Sequence, residues 1–118
     1  MTMHTLSVKR VYEAPAQTDG IRILVDRLWP RGMSKFRAHL DDWMKDIAPS
    51  PALRIWFNHE PEKFGEFSTL YREELDGNPD VRKIREWLKT DNVTLVYAAK
   101  DPMVNHAVVL RDVIAGRK

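Results

Sequence analysis

The seven-residue run Val93-Thr94-Leu95-Val96-Tyr97-Ala98-Ala99 constrains this chain most. It is apolar almost throughout, rich in β-branched residues, and bounded by Asp91-Asn92 before and Lys100-Asp101 after. A strand of that kind has no wet face and must lie inside a sheet covered on both sides. Two shorter runs precede it. Leu6 to Val11 alternates apolar and polar residues, as a strand with one buried face does. Ile21 to Asp26 is β-branched and bounded by Gly20 and Pro30, which reads as an inner strand. The loop from Ala14 to Gly20 joins them, and its length allows either a loose hairpin or a minimal crossover.

Helical spacing fills the rest. Phe36, Leu40, Trp43, Met44 and Ile47 give residues 35 to 47 a weak helical period, stopped by Ala48-Pro49-Ser50-Pro51. Ser50 is a good N-cap and Pro51 suits the first helical position, so a second helix starts there with Leu53, Trp56 and Phe57 on its apolar face. Pro61 opens a third, which carries Phe64, Phe67, Leu70, Tyr71 and Leu75. Asp80 to Thr90 is a fourth, and Met103 to Ala115 a fifth. Strands separated by helices predict an α/β fold: a small, mostly parallel three-stranded sheet covered by about five helices, in one compact domain over residues 1–118, with residues 1–4 flexible.

Composition excludes several chemistries. The chain has 118 residues and no cysteine, so disulfides, thiolate nucleophiles and cysteine metal sites are out. No His-x-x-x-His or His-Glu-x-x-His spacing occurs, and neither a metal nor a cofactor is expected. No apolar run approaches the ~18 residues of a membrane span. The start, Met-Thr-Met-His-Thr, lacks the marks of a signal peptide, which makes the cytoplasm the default expectation. A net charge of +2 points to no partner by itself. There is no glycine-rich phosphate cradle and no Gly-x-Ser-x-Gly elbow, which argues against a standard nucleotide-dependent enzyme.

In an open α/β sheet, ligands bind beyond the carboxyl ends of the strands. Charged groups stand there in this sequence: Arg10 after the first strand, Asp26, Arg27 and Arg31 after the second, and Lys100 and Asp101 after the third. Asn105 and His106 open the last helix, whose N-terminus favours negative charge. Arg10, Arg27, Arg31 and Lys100 would form an electropositive crevice for a phosphate or carboxylate. Asp26 would orient an arginine, and His106 would serve as acid, base or hydrogen-bond donor. Trp29 could stack on a ring, and Tyr97 could present its hydroxyl. The competing reading of the same residues is an ion-pair network that only pins loops. His59 is expected to cap the third helix, and His4 and His39 to lie on the surface. Trp43, Trp56 and Trp87 are expected in the core.

Several blocks resemble the YeaO-like proteins, small bacterial proteins of unknown function. They are Arg10-Val11-Tyr12-Glu13, Leu24-Val25-Asp26-Arg27-Leu28-Trp29-Pro30-Arg31-Gly32, Trp43-Met44-Lys45-Asp46-Ile47-Ala48-Pro49-Ser50, Leu53-Arg54-Ile55-Trp56-Phe57 with His59, and Tyr97-Ala98-Ala99-Lys100-Asp101 with Asn105-His106-Ala107-Val108-Val109-Leu110. The resemblance implies a single-domain bacterial protein of the cytosol and supplies no activity. Longer relatives in the wider group carry a Cys-His-Arg stretch at the start of the last helix. Here the sequence reads Asn105-His106-Ala107, so no thiol chemistry carries over and His106 is the matching position that survives. Three functions compete. One is a site for a small anionic ligand, enzymatic or not. The second is a nucleic-acid or regulatory module using Arg22, Arg31, Lys35 and Arg37 with Trp29. The third is an interaction domain whose polar motif only stabilises loops.

Overall fold

A computed structural model describes residues 4–117. The sheet has four strands, not the expected three, and every pairing in it is parallel. β1 is Leu6–Arg10, β2 Ile21–Leu24, β3 Asp42–Trp43 and β4 Val93–Tyr97, in the order β1-β4-β2-β3. The apolar run supplies β4, all five residues of which are buried. It pairs with β1 on one side and β2 on the other. The first two strands are therefore parallel without being neighbours, and the connection between them is a crossover past β4.

Gly20 makes that short crossover possible. Its φ is +65°, and a Cβ there would lie 2.0 Å from the Asn92 carbonyl oxygen. That oxygen accepts the Ile21 N–H at 2.8 Å, which starts β2 in register with β4. Only a residue without a side chain fits.

The helices are α1 Lys35–Ala38, α2 Pro51–Phe57, α3 Phe64–Leu75, α4 Pro79–Trp87 and α5 His106–Ile114. Residues 35 to 47 do not form the one helix their spacing suggests. α1 ends after a single turn at His39, which is left-handed with φ 50°. The chain then gives Asp41 N–H to Arg22 O at 2.8 Å and Met44 N–H to Leu24 O at 2.9 Å, adding β3 to the sheet edge, and closes with a 3-10 turn at Lys45–Ile47. Partners distant in sequence override a weak local period. The last helix starts at His106 rather than Met103, because Asn105 is its N-cap and accepts the Val108 N–H at 3.0 Å. Of the expected flexible start, residues 1–3 lie outside the described residues. His4 is within them, with its Nδ1 3.0 Å from Leu88 O.

The two faces of the sheet are covered unequally. Leu95 and Tyr97 of β4 face the main core, which Phe57, Phe67, Tyr71, Ile84 and Leu110 complete from α2, α3, α4 and α5. Val96, one residue out of phase, faces a smaller cluster with Val11, Met33 and Ala38 under α1. Tyr71 is fully buried, and its hydroxyl donates to Ile47 O at 2.7 Å. Burial, helped by the charges of Glu74 and Asp26, pushes its pKa well above 10, so it stays a neutral donor. Tyr71→Phe should lower stability by about 1–3 kcal/mol, since the Ile47 carbonyl loses its partner. Denaturant unfolding checks this, with an unchanged m-value expected. The tryptophans depart from expectation. Trp56 is 37% exposed, while Trp43 and Trp87 are half-buried, with cations of Lys45 and Lys83 over their rings.

Candidate functional site

β2 and β4 are neighbours, yet their continuations leave on opposite faces. β2 leads to α1 over the smaller cluster, and β4 leads to α5 over the main core. Diverging loops at the carboxyl ends of adjacent parallel strands open a crevice there. A cavity of about 750 Å³ occupies this place.

The loop after β2 forms one wall and is firmly held. Val25 N–H donates to Val96 O at 3.0 Å, and the Trp43 indole donates to Asp26 O at 2.7 Å. The Trp29 indole N–H reaches back to Met33 O at 2.6 Å, and the Tyr12 hydroxyl donates to Arg31 O at 2.8 Å. Trp29 packs its ring edge against Trp43 with centroids 5.3 Å apart. It lines the cavity from a half-buried position.

Asp26 and His106 lock this wall to α5. Asp26 Oδ2 accepts the Ala98 N–H at 2.9 Å, which ties the ends of β2 and β4 together. His106 Nε2 lies 3.0 Å from Val25 O and 3.0 Å from Asp26 Oδ1. The Val25 carbonyl can only accept, so the ring nitrogen facing it, Nε2, carries the proton. Asp26 Oδ1 is buried and off the line of any hydrogen bond, although it is close to that ring.

Asp101 and Asn105 shape the opposite wall. Asp101 Oδ1 accepts the N–H groups of Met103 and Val104 at 2.8 and 3.1 Å, and these bonds hold its carboxyl below the ordinary 3.8. Asn105 is 1% exposed and donates to Asp101 O at 2.8 Å while it caps α5. Both line the cavity, and the Asn105 amide and Asp101 Oδ1 are occupied by the backbone.

Of the expected anion-binding cations, Arg27, Arg31 and Lys100 line this one cavity together. Arg10 does not. Its guanidinium donates to Ala99 O at 2.8 Å over the Tyr12 ring, and so pins the loop after β4. Tyr97 is 2% exposed and outside the cavity wall. Burial, with repulsion from Glu13, raises its pKa above 10. Arg22, offered as part of a nucleic-acid patch, is 2% exposed and 2.6 Å from Asp19, so it cannot contact a surface partner.

Two titratable residues join the wall that strand ends did not point to. Arg54 comes from α2, and His59 from the turn after it. His59 does not cap a helix; it follows Asn58 in a left-handed pair with φ 56° and 48°. Its ring lies 6.2 Å from that of Phe57. Arg54 precedes Phe57 by three residues on the same helix face, which is the sequence signal for it. That signal was mute without knowing that α2 packs across the strand ends.

Among the described residues, no helix is long and apolar enough to cross a membrane. No solved structure is a significant match. The chain is 42% identical over 110 residues to an uncharacterized protein of Mycobacterium tuberculosis, covering 93% of each. An uncharacterized protein of Mycobacterium bovis matches equally. The uncharacterized Escherichia coli protein YeaO is 43% identical over 108 residues, covering 91% of this chain and 94% of that one. The family profile described as the inactive DUF488-N3 subclade matches residues 5–117, and with the YeaO relationship it places this chain as a member of that bacterial family.

Proposed function

We propose that this protein binds a small anionic ligand, carrying phosphate or carboxylate, in the cavity at the carboxyl ends of β2 and β4. One observation carries the reading. Arg27, Arg31, Arg54 and Lys100, which arrive from three separate segments, line the same cavity. Among the described residues, Arg31, Arg54 and Lys100 form no ion pair, so their charge is not neutralised from within. Among the described residues Arg27 forms one ion pair, to an exposed Asp46 at 3.9 Å, and its Nε is buried without a partner. Buried donors without partners call for one.

The Val25 carbonyl holds the His106 ring on the cavity wall, with the Asp26 carboxylate 3.0 Å from its Nε2. The subclade's description as inactive favours binding without turnover for this chain. Inorganic pyrophosphate is the probe. A titration followed by amide NMR at low salt should give saturable shifts at Arg27, Lys100 and His106. Lys100→Ala should weaken binding about two- to fivefold, as expected for one exposed charge pair, and Lys89→Ala should not. Shifts that spread over α4 and never saturate would overturn the reading.

A further inference from the structure

The cavity is much larger than its charges require. Its volume of about 750 Å³ lies in the ~300–1,000 Å³ range of pockets for whole organic ligands, and a single tetrahedral anion would leave most of it empty. Its wall is also graded. The cations Arg31, Arg54 and Lys100 are exposed and so stand at the mouth. The floor is the edge of the main core, where Phe57 is 5% and Phe67 1% exposed and their rings stack on each other 4.2 Å apart. Tyr12, Trp29 and His59 add further rings to the wall.

Resting on the anion-site reading above, we infer that the ligand is a nucleoside phosphate, bound with its base inward and its phosphate at the mouth. A base is planar, aromatic and sequence-tolerant in its stacking, which suits a wall carrying the rings of Tyr12, Trp29 and His59 over an apolar floor. An aliphatic acid would use the charge and leave the rings without a matching partner. The phosphate meets side-chain cations at a wet rim, not a cradle of backbone N–H groups. It is therefore a handle for recognition and not a group prepared for transfer. This explains how the site can take a nucleotide without the glycine-rich loop of nucleotide-dependent enzymes.

Calorimetry on the whole protein with four probes tests the inference: adenosine 5′-monophosphate, ribose 5-phosphate, inorganic phosphate and adenosine. The nucleotide should bind about ten- to a hundredfold more tightly than ribose 5-phosphate, the increment expected of one stacked base. Inorganic phosphate should be weaker still, and adenosine should lose most of the affinity. His59→Asn, which removes an exposed ring from the wall at a left-handed position that asparagine tolerates, should shrink the gap between nucleotide and ribose 5-phosphate and leave inorganic phosphate unchanged. Tyr12→Leu, at a 41% exposed ring on the cavity wall, should shrink the same gap. Equal binding of nucleotide and ribose 5-phosphate would overturn this inference and leave the anion site standing. Binding of adenosine as tight as the nucleotide, or no binding by any probe, would overturn both.

Discussion

Asp19→Ala should cost about 3–5 kcal/mol, the usual penalty for leaving a buried charge without its partner. Arg22 is that charge. It is 2% exposed, and its Nη1 lies 2.6 Å from Asp19 Oδ2. The rest of the guanidinium donates to His39 O and Ala38 O at 3.0 and 2.9 Å, which satisfies its hydrogen bonds but not its charge. Lys9 adds a second cation 3.0 Å from the same carboxylate. Its removal should lower Tm by on the order of 10–20 °C for a domain of this size. The double variant Asp19→Ala, Arg22→Met should recover part of the loss, because it removes the unpaired charge while the His39 and Ala38 carbonyls lose their donor. A drop of only a few degrees for the single variant, or no recovery in the double, would sink this account of the second face of the sheet.

The same carboxylate sets an acid limit. Burial alone would raise the Asp19 pKa, but hydrogen bonds from the Ala16 N–H, Lys9 and Arg22 outweigh it and hold the group below 3.8. A depressed folded pKa means stability that is fully present above the unfolded value and lost as pH falls through the folded one. Stability should therefore decline below about pH 4, and Asp19→Ala should flatten that decline.

How much of this was legible in the sequence depended on whether the deciding partner was local. Ser50 and Pro51 announce α2 because a cap and a fixed φ act within one turn, and Ser50 does accept the Leu53 N–H. β4 was legible as an inner strand because burial on both faces writes itself into composition. β3 was not. Its two residues exist only through the carbonyls of Arg22 and Leu24, some twenty positions back, and the spacing of Leu40, Trp43 and Met44 fits a helix as well. At the site, the convergence of Arg27, Arg31 and Lys100 followed from strand ends in a parallel sheet. Arg54 and His59 belong to a helix whose placement over those ends is tertiary. The arginines show the limit best. Arg10, Arg22 and Arg27 all sit at or near strands, and nothing local says that the first two face carbonyls and a buried carboxylate while the third faces a cavity.

Arg27→Ala should separate site from scaffold, with a large effect on binding and a small one on stability. Its bonds within the protein are long: Nη2 is 3.4 Å from Ala48 O and from Pro49 O, and Nη1 is 3.9 Å from an Asp46 carboxylate that is 92% exposed. Such contacts contribute little, so unfolding free energy should change by less than about 1 kcal/mol. A bound anion would give the guanidinium a charged acceptor in a half-buried setting, where a hydrogen bond is worth about 1.5–3 kcal/mol. Pyrophosphate affinity should then fall by roughly ten- to a hundredfold. Arg27→Lys should restore only part of it, because an ammonium keeps the charge without the planar fork. Arg22, five residues earlier in the same chain segment, supplies the opposite pattern: buried, fully bonded, and needed for stability. If Arg27→Ala instead melted the protein as Asp19→Ala is expected to, and binding of the folded fraction were unchanged, the arginines after β2 would be loop pins and the cavity would lack its anion site.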